Sequence, residues 1–232
     1  MKTTSSIISL KDVFKEYILG DESVFTALRK INLDICEGEF SSIIGPSGSG
    51  KSTLMHMIGL LDKPSRGEII VNGRDVAKLD DTQTSVLRNS YVGFVFQQFN
   101  LLNKLTVKEN ILLPASYSQK KFDYDPEERA DMLMEKFGIL SKKESFPNKI
   151  SGGQQQRVAV ARSLIMKPQL ILADEPTGNL DHKTGNEIID LFESLNDSEG
   201  ITIVMVTHEM ELAERTRRQI KVFDGEIISD KQ

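Results

Sequence analysis

The feature of the sequence that most restricts the fold is a glycine-rich segment, Gly45-Pro46-Ser47-Gly48-Ser49-Gly50-Lys51-Ser52. It fits the phosphate-binding pattern G-x-x-x-x-G-K-[ST], in which backbone N–H groups surround a triphosphate, the lysine reaches the β- and γ-phosphates and the hydroxyl binds Mg²⁺. This pattern requires a strand before the loop and a helix after it. The sequence predicts a strand at 39–44 and a helix from Lys51, with an apolar face of Leu54, Met55, Ile58 and Leu61. By itself the pattern indicates only a nucleotide.

Composition narrows the class of protein. A chain of 232 residues with 39% hydrophobic content is long enough for one well-buried α/β core. The net charge of −5 argues against nucleic acid as the main partner, since proteins that bind it are usually strongly basic. The longest apolar runs have the length of strands, far below the ~20 residues that cross a bilayer.

The N-terminus and the single cysteine suggest a reducing compartment. We see no apolar signal-peptide core near residues 1–10, so the protein is expected to stay in the cytosol. Cys36 has no cysteine with which to form an internal disulfide, and we expect it to be an inert packing residue.

Periodicity divides the chain into strands and a helical segment. Strands are also predicted at 7–13, 31–35, 68–71 and 91–96, and two buried parallel strands at 169–173 and 201–206. Asn72-Gly73 marks a turn, and Asp224-Gly225 marks a final hairpin. The signals from about 98 to 165 are helical, including an N-cap at Asp125, a capping-box glutamate at Glu128 and a stop at Gly138.

Two acids end the apolar run at 169–173. Ligands in open α/β sheets bind at the carboxyl ends of strands, so Asp174 and Glu175 should lie near the phosphate loop. Asp174 is placed to hold Mg²⁺ and Glu175 to polarise a water for attack on the γ-phosphate. An acid pair after a strand can also be a simple helix cap, a reading that the phosphate loop disfavours. His208 follows another strand, where imidazole could bond the γ-phosphate or the water.

A second short segment, Ser151-Gly152-Gly153-Gln154, precedes a predicted helix. The backbone N–H groups at such a helix start, and its positive dipole end, are suited to an anion. His56 and His182, in contrast, are interpreted as surface or packing residues.

The phosphate loop and the segment 151–154 together resemble the ATP-binding cassette (ABC) family, and the remaining motifs of that family follow in its order along nearly the whole chain. In this family the serine-glycine-glycine segment of one subunit closes on a nucleotide held by the phosphate loop of another. The resemblance therefore implies a pair of chains, either a homodimer or two different cassettes, with ATP and Mg²⁺ as cofactors.

The resemblance also implies roles for single residues. Tyr17 matches the aromatic that stacks on adenine, with an ordinary packed aromatic as the alternative. Gln97 matches the glutamine that joins the Mg²⁺ shell and senses the membrane subunit, and the sequence leaves the adjacent Gln98 open as a competitor. Asp181 matches the loop that couples the two sites, and His208 matches the switch histidine.

The resemblance implies three groups of site residues. The nucleotide-binding residues are Tyr17, Gly45, Pro46, Ser47, Gly48, Ser49, Gly50, Lys51, Ser52, Thr53, Gln97, Ser151, Gly152, Gly153, Gln154 and Asp181. The Mg²⁺ ligands are Ser52, Gln97 and Asp174, and the catalytic residues are Glu175 and His208.

From the resemblance we expect an α/β fold: a P-loop ATPase core with a mixed, mainly parallel sheet, an N-terminal antiparallel β region and an inserted helical subdomain. Residues 1–232 are expected to form a single domain, in which 1–97 and 166–232 build the nucleotide-binding core and 98–165 the helical subdomain.

The stretch from Gly93 to Pro114 is similar to one branch of the family, the lipoprotein-releasing (LolD-like), macrolide-exporter (MacB-like) and antimicrobial-peptide detoxification ATPases. Members of that branch pair with membrane subunits. The resemblance therefore implies a transmembrane permease partner, a function in export, lipoprotein release or peptide resistance, and a place on the cytoplasmic face of the membrane.

Two other classes of function are alternatives. A non-transport ABC ATPase acting on DNA or the ribosome is disfavoured by the single short cassette without heptads, whereas iron–sulfur cluster assembly also uses such a cassette and is the harder alternative. A nucleotide-dependent binding module would need a degraded phosphate loop or a lost Glu175, and both are intact.

Overall fold

The structure is a computed structural model that describes residues 5–20, 22–119 and 121–231. Residues 1–4, on which part of the signal-peptide expectation rests, lie outside the described residues. Within the described ranges, no helix is both long and apolar enough to span a bilayer.

The strands and helices follow one another along the chain. The strands are β1 (Ser6–Ile18), β2 (Val24–Cys36), β3 (Phe40–Ile44), β4 (Arg66–Val71), β5 (Arg74–Asp75), β6 (Val92–Phe96), β7 (Leu170–Asp174), β8 (Thr202–Val206), β9 (Arg218–Phe223) and β10 (Glu226–Lys231). The α-helices are α1 (Lys51–Ile58), α2 (Asp81–Tyr91), α3 (Val107–Ser116), α4 (Pro126–Lys136), α5 (Gly152–Leu164), α6 (His182–Glu199) and α7 (Met210–Glu214).

The central sheet has the strand order β10-β9-β3-β8-β7-β6. All neighbouring pairs are parallel except the edge pair β9–β10, which is antiparallel. The apolar run of β7 is fully buried up to Ala173, and every residue of β8 is buried. A strand covered on both faces has no solvent side, so a continuous apolar run rather than an alternating pattern is expected in it. The two predicted buried parallel strands are therefore confirmed.

A second sheet, with the order β2-β1-β4-β5, is antiparallel throughout. Asn72 and Gly73 form its β4–β5 turn with φ values of 47° and 74°. Asp224 and Gly225, with φ values of 46° and 76°, turn the chain from β9 into β10. Both predicted turns are confirmed, and positive φ at both central positions explains why Asn or Asp is followed by Gly.

Two hydrophobic clusters cover the two faces of the central sheet. One joins β1, β2 and β4 to α1, and the other joins the sheet to α3, α4, α5 and α6. The close packing of α5 on β6 depends on Gly93, where a Cβ atom would lie 2.3 Å from the Ser163 carbonyl oxygen. The expected α/β class, with an antiparallel N-terminal region and a group of helices, is confirmed.

Some details differ from the sequence-based expectations. Helix α1 ends at Ile58, so Leu61 lies outside it and is 42% exposed, while Met57 is buried instead. The chain leaves the helix at Gly59, and Leu60 takes a positive φ of 55°, which ends the helical periodicity before Leu61. Helices α2, α6 and α7 were not predicted.

The start of α4 also differs. Asp125 is its N-cap as predicted, but the Asp125 carboxylate accepts the backbone N–H of Glu127 rather than that of Glu128. Gly138 follows the helix with a φ of 68°, as a stop signal should.

Candidate functional site

The glycine-rich loop joins β3 to α1, as the pattern requires. At Gly45 a Cβ atom would lie 2.1 Å from the Val222 carbonyl oxygen, so only glycine fits beside β9. Gly50 takes a φ of 104°, which also favours glycine. The Lys51 ammonium donates hydrogen bonds to the carbonyls of Gly45 and Pro46 at 2.9 and 2.8 Å. The loop thus curls around the lysine that the pattern assigns to the phosphates.

The two acids lie at the carboxyl end of β7, beside this loop. Asp174 is the last residue of the strand, and it pairs in register with Phe96 on β6 and Val206 on β8. Burial raises the pKa of the Asp174 carboxyl, and the neighbouring charge of Glu175 raises it further. The charges of His56 and Lys51 act in the opposite direction. His56 is half-buried on α1, within electrostatic reach of this acid.

Glu175 and His208 contact each other directly. His208 Nδ1 lies 2.8 Å from Glu175 Oε1, and this hydrogen bond raises the pKa of the imidazole. The other oxygen, Glu175 Oε2, is buried and has no hydrogen-bond partner in the described part of the chain. Glu175 also has a φ of 46°, unusual for a residue with a side chain. An unpaired buried carboxylate oxygen is available to accept a proton from a water or to face a cation.

These groups surround a cleft of about 620 Å³. Its lining includes nine predicted site residues: Ser47, Gly48, Gly50, Lys51, Ser52, Thr53, Asp174, Glu175 and His208. It also includes Phe25, Ala27 and Val206, which sequence reasoning did not single out. Phe25 and Ala27 belong to β2, so one wall of the cleft comes from the antiparallel sheet.

Tyr17 lies near this wall without lining the cleft. Its hydroxyl donates to Asp62 Oδ2 at 3.2 Å, and the Lys15 ammonium lies 4.9 Å from the ring centroid. Burial raises the pKa of the hydroxyl. In the β1–β2 pairing Tyr17 lies directly opposite Phe25. Its contact with adenine therefore stays a prediction, and Phe25 is the aromatic that the structure places in the cleft.

Gln97 follows β6, next to the end of β7, but its side chain is exposed and does not line the cleft. It lies against Gly178, where a Cβ atom would come within 2.6 Å of Gln97 Nε2. The side chain of Asn179 donates to the Gln97 carbonyl at 2.8 Å. Gln98 is also exposed, so the choice between the two glutamines stays open.

Asp181 acts locally as the N-cap of α6. Its carboxylate accepts the backbone N–H of Thr184 at 3.0 Å and the Thr184 hydroxyl at 2.6 Å, and these bonds lower its pKa. The coupling role predicted for Asp181 stays a prediction.

The segment 151–154 forms the start of α5, and a capping box between Ser151 and Gln154 caps the N-terminus of the helix. Gly152 faces Leu180, and a Cβ atom on Gly153 would lie 2.5 Å from Thr184 Cγ2. None of its four residues is among the described residues that line the 620 Å³ cleft. The structure thus brings the phosphate loop, the two acids and His208 together and leaves the helix start outside.

A larger cavity of about 790 Å³ lies between the central sheet and the helices. It is lined from β6, α2, the end of α3 and α5, by residues that include Leu61, Phe94, Leu113, Tyr117 and Met166. Two of them, Leu61 and Tyr117, are exposed apolar or aromatic side chains. Sequence reasoning did not anticipate this cavity.

The comparisons with known proteins agree with this geometry. The family model described as "ABC transporter" matches residues 28–178. The chain is 49% identical to the ABC transporter ATP-binding protein YknY of Bacillus subtilis, over 96% of this chain and 95% of that protein. It is 48% identical to the macrolide export ATP-binding/permease protein MacB of Bdellovibrio bacteriovorus, over 97% of this chain but only 34% of that protein. The chain therefore spans about a third of the MacB relative.

Among solved structures, the chain is similar to the ATP-binding cassette MJ0796 of Methanocaldococcus jannaschii, in a dimeric post-hydrolysis state bound to ADP and Pi. The TM-score is 0.88 at 43% identity, and the match covers 97% of this chain and 98% of the other.

Proposed function

Because the chain belongs to the ABC transporter family, we propose that two such cassettes close on a pair of ATP molecules and thereby move a membrane permease. The chain is an ATP-binding and ATP-hydrolysing transporter subunit. The resemblance to the MacB-like branch is confirmed, and the iron–sulfur assembly alternative is not favoured.

One observation carries the proposal of paired chains. The cleft that holds the phosphate loop and Glu175 is lined without the helix start at Ser151–Gln154, among the residues described. That helix start lies against Leu180 and Thr184, in the loop after β7 and the first turn of α6, and it has a positive dipole end. An anion-binding end that does not reach its own cleft is suited to the nucleotide of a second chain. The dimeric state of the MJ0796 cassette supports this arrangement.

The cleft suits Mg²⁺ bound together with phosphates. No group of three or more His, Cys, Asp or Glu residues that could hold a metal occurs in the described ranges. Mg²⁺ usually takes only one or two carboxylates and completes its shell with waters and substrate phosphates. The Ser52 hydroxyl and the Asp174 carboxylate, both in the cleft, fit that pattern, and Gln97 would have to turn toward it to join them. When bound, Mg²⁺ would neutralise charge on the phosphates.

Each residue then has a separate task. Lys51 exchanges its two loop carbonyls for the β- and γ-phosphates. Glu175 Oε2, which is unpaired among the described residues, accepts a hydrogen bond from the attacking water and polarises that water. His208, which bonds the other Glu175 oxygen, fixes the carboxylate and lines the same cleft, where its imidazole could bond the γ-phosphate. Loss of the γ-phosphate removes the contact that joins the two chains, so the dimer opens.

The permease is proposed to bind at the 790 Å³ cavity. Its rim carries exposed apolar and aromatic groups, which mark surfaces that bind other proteins. The lining residues Phe96 and Asn100 lie on either side of Gln97 in the chain, so a segment bound there would contact the region of Gln97. ATP is supplied on the cytoplasmic side, so the subunit would lie on that face of the membrane.

The dimer is tested by sedimentation in a background that cannot turn over. Glu175→Gln is expected to lower the hydrolysis rate by about 10²-fold or more while keeping ATP bound, so that Mg·ATP traps the dimer. Adding Ser151→Arg should abolish that dimer and leave ATP binding by the monomer unchanged, because the long cation fills the space for the opposing γ-phosphate. Lys149→Arg, two residues earlier and outside the helix start, is the control.

Two results would contradict the proposal. Near-normal hydrolysis by Glu175→Gln would remove the assignment of Glu175 as the base. A nucleotide-dependent dimer that survives Ser151→Arg would mean that the helix start does not serve the second nucleotide.

A further inference from the structure

The loop 175–181, which joins β7 to α6, carries the proposed catalytic carboxylate in an unusual conformation. The φ of 46° at Glu175 persists in folded proteins only where surrounding contacts hold it. On one side the contacts come from β8 and the residues after it. The Glu175 backbone N–H donates to the Val206 carbonyl at 2.9 Å, and the Thr177 hydroxyl donates to Glu209 Oε1 at 3.2 Å.

On the other side a buried glutamine of α5 contacts the loop. Gln156 is fully buried, and its Nε2 donates a hydrogen bond of 2.6 Å to the carbonyl of Pro176, the residue after Glu175. Its Oε1 is buried and has no partner among the described residues. Burying an amide with one end unpaired costs free energy, and an apolar side chain of similar size would fill the same space without that cost. Packing alone therefore does not explain a glutamine here.

We propose that Gln156 is a positioning residue for ATP hydrolysis, which fixes the Pro176 carbonyl and so keeps the Glu175 carboxylate in the cleft. The proposal rests on the catalytic role proposed for Glu175. It has a structural consequence for the pair of chains, because Gln156 lies little more than one turn after Ser151 on the same helix. The helix whose start is proposed to serve the partner's nucleotide is thus joined by one hydrogen bond to the residue that follows the carboxylate of this chain's own site.

The test replaces the donor and keeps the volume. Gln156→Leu leaves the Pro176 carbonyl unpaired and frees the loop, so kcat is expected to fall about tenfold or more. The KM for ATP should change by less than about twofold, because the phosphate loop is untouched. In the Glu175→Gln background, the Mg·ATP-dependent dimer should form as before. Gln156→Met is made alongside, because its unbranched side chain tolerates tight packing better than leucine.

Gln155→Leu is the matched control. Gln155 precedes Gln156 on α5, and its Nε2 donates to the Ile150 carbonyl at 3.3 Å instead of to the loop after β7. Replacing the Gln155 side chain by leucine should leave kcat unchanged.

Three outcomes would overturn the proposal. The first is an unchanged kcat in both Gln156 variants, and the second is a fall in kcat in Gln155→Leu as large as in the Gln156 variants. The third is a loss of the trapped dimer in parallel with the fall in kcat, because that result would indicate a structural role for Gln156. Failure of the catalytic assignment itself is recognised separately, because Glu175→Gln alone would then hydrolyse ATP at a near-normal rate.

Discussion

Phe25 and Tyr17 lie opposite each other in the antiparallel pair β1–β2, so their side chains emerge on the same face. Phe25 lines the 620 Å³ cleft and is 52% exposed, whereas the Tyr17 hydroxyl donates a hydrogen bond to Asp62. An aromatic face beside a phosphate loop suits a purine, and such stacking is worth about 1–3 kcal/mol per base by alanine substitution. The motif order pointed to Tyr17 alone, because the pairing register that brings Phe25 to the cleft is not encoded in any motif.

Replacing Phe25 by tryptophan tests this contact directly, since the chain contains no tryptophan. If the base stacks at this position, saturating Mg·ADP should strongly quench the fluorescence of the new indole, and inorganic tripolyphosphate, which has no base, should not. Phe25→Ala should weaken ADP binding about tenfold, as calorimetry would show.

Val24→Trp is the control for that experiment. Val24 is the neighbouring residue on β2, is 60% exposed and points to the opposite face of the strand. Equal quenching at both positions, or a response at position 25 to tripolyphosphate as large as that to ADP, would show that no base contact is being detected.

The His208–Glu175 pair predicts a pH dependence of stability in the nucleotide-free protein. The pairing raises the pKa of His208 above that of the unfolded chain, which is about 6.5. Its stabilising effect is therefore fully present below the unfolded pKa and is lost as the pH rises through the folded pKa. We expect wild type to melt about 1–2 °C above His208→Gln near pH 6, and the gap to vanish near pH 9, the effect being small because His208 is largely exposed.

His182→Gln is the control, because His182 is exposed on α6 and Glu211 Oε2 lies 3.8 Å from its Nε2, farther than the 2.8 Å that separates His208 from Glu175. Its melting temperature should follow wild type across the same range. A gap for His208→Gln that widens with rising pH would contradict the assignment.

At the scale of elements, the sequence predicted best what a local pattern decides. The phosphate loop requires β3 before it and α1 after it, and the continuous apolar runs of β7 and β8 have one stable place, inside a covered parallel sheet. The hairpin turn at Asp224-Gly225 needs positive φ at two positions, which few residue pairs allow. These elements could be predicted without knowing their neighbours.

The helices that were missed show what tertiary context adds. α2 contains few apolar residues, and only Thr84 and Tyr91 are buried on it, so its periodicity is weak. Its capping box between Asp80 and Gln83 was a local signal that could have been used. α6 carries a clear apolar stripe of Ile188, Ile189, Phe192 and Leu195, and was predictable in principle. The prediction for Leu61 was wrong for the opposite reason. The apolar periodicity of α1 continues in the sequence to Leu61, although the helix itself ends before Gly59.

At the scale of the whole molecule, the phosphate-loop cleft and the helix start at Ser151, which we propose to be two halves of a nucleotide site, are kept apart in one chain. Motifs predicted both halves from the sequence but could not predict that they are separated in the fold. Nor could they reveal the 790 Å³ cavity, because its lining combines the consecutive elements α2, β6 and α3 with α5, which comes much later in the sequence. A cavity built between elements depends on how the helices pack on the sheet, which local patterns do not specify.

The proposed binding of the permease at that cavity can be tested at Tyr117. Tyr117, which follows α3, lines the cavity and is 73% exposed, so a photo-crosslinking amino acid at this position should react with whatever fills it. We expect irradiation of cells that carry this variant to yield a covalent adduct with an integral membrane protein. Met132 on α4 is the control, because it is 64% exposed and lies outside the cavity lining. Adducts of equal yield at both positions, or adducts at 117 only with proteins that wash off the membrane, would show that the permease binds elsewhere.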